Sequence, residues 1–210
     1  MSINRLLTDT DRIQLSPTIK LMWNLCPTTM KRKIERANVQ QAFVFDRIIN
    51  YYKEDNTILS VGCYDDTAFE ASVITYGYAV EGIDPQINFD LHTFRQNYNV
   101  GFDIVFSTSV IEHVKDDEEF VKDICDLLLP GGYGILTMDF NNNYKVGDSL
   151  PATDLRFYTK YDLDIRLRRI IESKGCELVE ESDWVGEPEF FHDGCSYSFA
   201  TFVFRKKKNV

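Results

Sequence analysis

Residues 57–66 read TILSVGCYDD, and this stretch decides the fold. Ile58-Leu59-Ser60-Val61 is a short apolar run of the kind a strand buried on both faces shows. Gly62 follows, where the chain can turn sharply and leave its backbone bare. Asp66 then stands where it can cap a helix, and Thr67 with Glu70 has capping-box spacing. Strand, glycine turn and helix in this order make the nucleotide-binding corner of a doubly wound α/β sheet.

Upstream, Val39–Lys53 carries an apolar stripe through Val39, Ala42, Phe43, Phe45, Ile48, Ile49 and Tyr52, and is expected to be a helix. Downstream, residues 67–76 form a helix that Gly77 ends. Ala79–Asp84 reads as a second strand that Pro85 stops. Phe102–Ser107 is a further strand, and Lys115–Leu129 an amphipathic helix. Pro130-Gly131-Gly132 is a turn before a strand over Tyr133–Met138. A helix starts near Thr159 and ends at Gly175, and β-rich segments at Cys176–Trp184 and Tyr197–Arg205 follow. Alternating strands and helices predict a mostly parallel sheet with helices on both faces. Residues 1–38, with Pro17, Pro27 and the trio Leu21-Met22-Trp23, are expected to be short helical pieces.

The chain has 210 residues and a net charge of −10. That length suits one domain with a full core. The charge argues against nucleic acid as a partner, because such binders carry a basic face. The basic runs Lys31-Arg32-Lys33 and Arg205–Lys208 read as solvated surface. No apolar stretch approaches the ~18 residues of a membrane-spanning helix, and the N-terminus lacks a signal-peptide core. Five scattered cysteines without CxxC pairs fit reduced thiols, a cytoplasmic location and no metal site.

An acidic residue about twenty positions past the glycine turn can take both ribose hydroxyls of an adenine nucleoside. Asp84 sits there. The turn itself, Gly62-Cys63-Tyr64-Asp65-Asp66, is not GxGxxG: it has one glycine, a bulky tyrosine and two carboxylates. A pyrophosphate would be repelled, whereas a sulfonium nucleoside would not.

The combination resembles the class I S-adenosylmethionine-dependent methyltransferases. The matching segments run in order as LSVGC (59–63), GYAVEGIDP (77–85), FDIVFSTSVIEHV (102–114) and LLLPGGYGILTMD (127–139). RFYTKYDL (156–163) resembles a segment that follows the fifth strand in small-molecule members. The resemblance implies a Rossmann-like α/β fold with a seven-stranded sheet in order 3-2-1-4-5-7-6, strand 7 antiparallel. It covers 39–210, with 1–38 as a helical segment that would serve as a lid. It also implies S-adenosylmethionine as cofactor, with Gly62, Cys63 and Tyr64 in the cofactor loop and Asp84 on the ribose. Pro85 would lie near the adenine, and Ser107 and Thr108 on the methionine side.

Only seventeen residues separate Pro85 from Asp103. A stunted third strand at residues 88–91 is expected there, placing Asp90 and Leu91 against the adenine; alternatively, Asp90 caps a helix over 91–96. Methyl transfer from a sulfonium needs alignment and desolvation more than a charged catalyst. A hydroxyl acceptor would still profit from a base, and His113 and His192 are the candidates. Asp139 ends the fifth strand and could meet an acceptor. Trp184, Phe190, Phe191 and Tyr197 would wall a pocket for a small-molecule acceptor, a sugar or a planar metabolite, methylated on O or N. A protein that keeps this fold as a non-catalytic scaffold is the rival reading.

Overall fold

The apolar run at residues 58–61 does form a strand, and its neighbours in the sheet are strands of the same character. The computed structural model describes residues 2–208; Met1, Asn209 and Val210, the outer ends of the two expected segments, lie outside it. Strands β2 (Ile58–Val61), β3 (Val80–Ile83), β4 (Phe102–Thr108) and β5 (Leu128–Phe140) are parallel, in the order β3-β2-β4-β5. Successive side chains feed opposite layers. Ile58, Ile104, Phe106 and Ile135 join one apolar cluster, and Leu59, Val105 and Leu136 the other. That two-residue alternation, buried on both sides, is why these strands read as continuous apolar runs.

Helices α4 (Asn38–Tyr51) and α5 (Thr67–Tyr76) belong to the first layer, with α2 (Ser16–Leu25) outside them. On the other face α6 (Leu91–Asn97) packs on α7 (Asp117–Leu127). A helical segment over Asp162–Ser173, π-helical in its first half, joins that layer and ends before Gly175 at φ +72°. Asp66 caps α5 by accepting from Phe69 N at 2.6 Å. The expected capping box does not form. Glu70 is drawn away by the Thr29 hydroxyl, and the Thr67 hydroxyl stays buried without a partner.

The antiparallel strand expected beside β5 is β9 (Cys195–Lys206), paired from Tyr133↔Arg205 to Phe140↔Ser198. Its outer edge corrects the expected order, for no single sixth strand covers it. Three short strands lie end to end along β9: β6 (Cys176–Leu178), β1 (Asn4–Leu7) and β8 (Phe190–His192). A two-residue strand, β7 (Ser182–Asp183), adds parallel to β1. Residues 1–38 are therefore not helical throughout, since Leu6 and Leu7 stand in the sheet opposite Ala200 and Phe199. Buried Asn4 binds there. Its carboxamide accepts from Val203 N at 2.6 Å and donates to Val203 O and Glu180 O at 3.2 Å.

Two further expectations fail for local reasons. The Pro130–Gly132 turn lies inside β5 as an irregularity opposite Phe102–Ile104, with Gly131 at φ +88°. The stunted third strand is absent, so β3 is the sheet edge. Asp90 accepts from Thr93 N at 2.9 Å and from its hydroxyl at 2.7 Å, and so caps α6. Asn88 meanwhile binds Asp84 N and Gly82 O, which closes a turn. Too few residues remained for strand and helix together, and the capped helix won.

Candidate functional site

A cleft of about 1050 Å³ opens across the carboxyl ends of β2, β3, β4 and β5. Open α/β sheets bind ligands there, where the loops to either side diverge. Its walls hold backbone strain. Of the four non-glycine residues at positive φ among the described residues, Asp65, Ser109 and Asp193 line this cleft. Such outliers cluster where surrounding structure holds a functional geometry.

At the glycine corner Gly62 has φ +82°, and its bare backbone faces Val110 across the cleft mouth. The Gly62 and Cys63 amides both donate to Ile83 O, at 2.8 and 3.2 Å, so neither is free to grip an anion. Asp84, 6% exposed, accepts from Gln86 N at 2.8 Å and from Tyr64 N at 3.2 Å. A carboxylate has about four acceptor positions, so capacity remains for two ribose hydroxyls. Arg32 and Lys33 reach this loop but are paired with Asp65. Burial alone would raise the Asp65 carboxyl; those two cations hold it below the usual range. The corner thus offers carboxylates and a bare turn, with no uncommitted cation for a phosphate. It fits a sulfonium nucleoside.

Most of the residues expected on the site line this cleft: Gly62, Tyr64, Asp84, Pro85, Asp90, Leu91, Thr108, His113 and His192. Cys63 and Ser107 do not. The Cys63 thiol turns toward Gly82 in β3, where burial pushes its pKa to about 11. Ser107 is buried inside the sheet with its hydroxyl unpaired. Tyr64 is 56% exposed, so its ring stands at the rim and does not fill the cleft. Of the expected aromatic wall only Phe190 and Tyr197 face the cleft. Trp184 is core, stacked on Phe202 and donating to Thr201 O at 2.8 Å, and Phe191 is 69% exposed. Met22 packs into the core while Leu21 and Trp23 face outward; the N-terminal residues on the cleft are Arg32, Lys33, Ile34 and Ala37.

His113 is not poised as a base. Its Nδ1 lies 3.2 Å from Asp154 Oδ1 and 3.1 Å from Thr153 O. The Asp154 hydrogen bond, helped by Glu112, raises its pKa to about 9, so it stays an imidazolium at neutral pH. His192 lies in β8 at the cleft rim, exposed.

A cluster surrounds His113 in which Glu112 and Asp154, unmarked in the sequence, join the expected Asp139 and Tyr197. Glu112, from the turn after β4, is 1% exposed, and burial pushes its pKa up to about 7. Asp139, near the end of β5, is raised well above the ordinary carboxylate value by burial and by Glu112 and Asp154. Burial and Asp139 likewise raise the Tyr197 phenol. Asp139, at a strand's carboxyl end, and Tyr197, in an aromatic stretch, carried a sequence signal; Glu112 and Asp154 did not, and they come together only through the fold.

These groups predict an unusual pH dependence of stability. Over parts of the range from about pH 5 to 8 the folded chain binds extra protons: Asp66 is raised by burial to about 6, Glu112 by burial to about 7 and His113 by Asp154 to about 9, and burial raises Asp139 in the same direction. The unfolded chain would release them, so it binds fewer protons and stability falls as pH rises. The depressed groups Asp65, Asp90 and Asp117 act only at acid pH. Tm should drop by roughly 5–10 °C from pH 5.5 to 8, at about 2–4 °C per kcal/mol for this chain length. Glu112→Gln should flatten that slope; a Tm that rises over the same range contradicts the assignment.

Fold and site together define a Rossmann-like protein that receives an adenine nucleoside without phosphates. A family model described as a methyltransferase domain matches residues 31–181. The chain belongs to that methyltransferase family, whose methyl donor is S-adenosylmethionine. Solved structures share the fold. The [4+2]-cyclase SpnF is 15% identical with a TM-score of 0.56, over 85% of this chain and 86% of that one. An S-adenosylmethionine-dependent methyltransferase from Clostridium acetobutylicum is 10% identical, TM-score 0.52, over 91% and 99%. CalS10, an amino pentose methyltransferase from Micromonospora echinaspora solved with S-adenosylmethionine bound, is 17% identical, TM-score 0.52, over 84% and 93%. At these identities the likeness is one of fold. Among the described residues no helix is long and apolar enough to cross a membrane.

Proposed function

We propose that the cleft binds S-adenosylmethionine at the Gly62–Asp84 corner and passes its methyl group to a small molecule held beside Glu112, Asp139 and Tyr197. The observation that carries this is Asp84, a buried carboxylate at the end of β3 with acceptor capacity left over on the cleft. When bound, the donor supplies an activated methyl carbon on a sulfonium, and the surrounding carboxylates tolerate that charge. Pro85 and Leu91 offer apolar surface to the adenine, and Thr108 lies toward the donor's methionine end. Arg32, Lys33, Ile34 and Ala37 line the cleft, and the N-terminal segment they end would close it as a lid that excludes water from the sulfonium.

Small-molecule relatives of this fold include the amino pentose methyltransferase CalS10, which supports a compact acceptor. A nucleic-acid acceptor would meet a cleft rich in carboxylates whose Arg32 and Lys33 are already paired. Tyr64 at the rim leaves the corner open to a nucleoside, which supports the enzyme over a non-catalytic scaffold.

Asp84→Ala should weaken binding of S-adenosylhomocysteine by roughly 30- to 100-fold, about 2–3 kcal/mol of charge-assisted hydrogen bonding. Isothermal titration measures this, with circular dichroism to verify the fold. Unchanged affinity in the variant rules Asp84 out as the ribose ligand.

A further inference from the structure

We propose that the acceptor is a primary or secondary amine, held as its ammonium ion by Glu112, Asp139 and Asp154 and methylated on nitrogen. The proposal rests on the donor site described above and names the substrate class of the same cleft.

Three carboxylates meet at the acceptor end, and their pairing is incomplete. Glu112 Oε2 and Asp154 Oδ2 are buried without a hydrogen-bond partner, and both residues line the cleft. Asp139 faces Asp154 and the Tyr197 hydroxyl. Among the described residues the cation seen to pair with them is His113, which Asp154 and Thr153 O already hold. One imidazolium cannot balance three ionised carboxylates in so buried a place, so Glu112 and Asp139 are pushed toward their protonated forms, and an entering cation can take the place of those protons. An ammonium brings both charge and several N–H donors aimed at separate oxygens. A hydroxyl would bring one donor and no charge, and an acidic acceptor would be repelled. Arg32 and Lys33, the lysine and arginine of the cleft wall, are paired with Asp65 at the donor end. Phe190 and Tyr197 give the body of the amine an aromatic wall.

The same groups suit the chemistry. Ammonium binding displaces to solvent the proton that the carboxylates share. One carboxylate then takes a proton from the ammonium, freeing the nitrogen lone pair. The nitrogen attacks the methyl carbon: a C–N bond forms, the C–S bond breaks, and its electron pair stays on sulfur as a neutral thioether. The product leaves as a methylated ammonium, and the carboxylate keeps the proton it took, which restores the resting site, so one proton is released per turnover.

The test uses protein saturated with S-adenosylhomocysteine and a panel of butylamine, tyramine and glucosamine, each beside its neutral N-acetyl derivative. Binding is read by thermal shift and calorimetry. At least one amine should bind at least about tenfold more tightly than its N-acetyl form, the discrimination expected of a charged hydrogen-bonded group. In Glu112→Gln/Asp139→Asn that preference should fall to about twofold, with affinity for S-adenosylhomocysteine unchanged. For the unaltered protein, amine affinity should rise several-fold from about pH 6 to 8, because the site must shed a proton as the cation enters. That rise comes from Glu112 and Asp139, with Asp154, His113 and Tyr197 as the charged and titratable groups that face them. It decides the matter alone should the double variant not fold. N-acetyl forms that bind as well as the amines, no amine binding to the loaded protein, or an affinity flat across that pH range would overturn the proposal. Failure of S-adenosylhomocysteine itself to bind would instead overturn the donor-site reading.

Discussion

Replacing Asp117 with alanine is expected to destabilise the protein by about 3–5 kcal/mol, the cost of leaving buried partners of a charge unpaired. Asp117 opens α7 and is 4% exposed. Arg166 grips it with both terminal nitrogens, at 3.0 and 2.8 Å, Arg156 comes to 2.9 Å, and the Tyr158 hydroxyl donates at 2.8 Å. Burial would raise this carboxyl, yet Arg166 and Tyr158 hold it below the ordinary range. Without it Tyr158, fully buried, keeps only a 3.3 Å bond to Ile111 O, Arg156 loses its carboxylate, and Arg166 is left with Asp162 and Glu118. Ile111 adjoins Glu112, so the loss also loosens the turn that carries the acceptor cluster. Urea unfolding should show the midpoint falling without a change in slope, and Tm should drop by roughly 10 °C. Asp117→Asn keeps a partner for Tyr158 and should cost less. A loss under about 1 kcal/mol in Asp117→Ala would show the network to be ornamental.

Gly62→Ala is expected to cost about 2–6 kcal/mol and to weaken binding of S-adenosylhomocysteine by more than tenfold. Two penalties add. A side chain at φ +82° is strained by about 1–3 kcal/mol, and overpacking costs a similar amount. The added methyl would stand 2.4 Å from Val110 Cγ2 and 3.1 Å from Cγ1, on a stiff β-branched side chain that has no easy rotamer to escape into. Val110 must then shift, or the β2 loop must open, and either moves the wall of the donor site. Gly77 is the control: it also has positive φ, +61°, but nothing lies within 4 Å of an added methyl and it is not on the cleft. Gly77→Ala should carry strain alone and leave ligand binding intact. Equal binding losses in the two variants would refute the role given to Gly62.

The glycine corner proposed as the donor site was legible because its signals are local. Ile58–Val61, Gly62, Asp66 and Gly77 lie within twenty residues, and each states a preference its neighbours share: an apolar run, a positive φ, a cap, a helix stop. Asp84 follows from the same geometry, since a strand of fixed rise delivers its last residue to the same sheet edge. Where two local signals competed, sequence alone could not choose. Residues 88–97 held both a short strand and a capped helix, and the Asp90 hydrogen bonds to Thr93 settled it for the helix.

By itself, then, the sequence determined the α/β alternation, the parallel strands and the carboxyl-edge position of Asp84, because short-range periodicity and turn chemistry specify those. Tertiary structure alone decided the rest. β1 enters the sheet beside β9, pairing Leu6 with Ala200 across nearly the whole chain, and no local pattern marks a four-residue strand among helices. The acceptor end draws Glu112, Asp139, Asp154 and Tyr197 from separate segments. Each looks like an ordinary loop or strand residue in sequence, and only their burial together turns them into groups that hold protons near neutral pH and favour a cation.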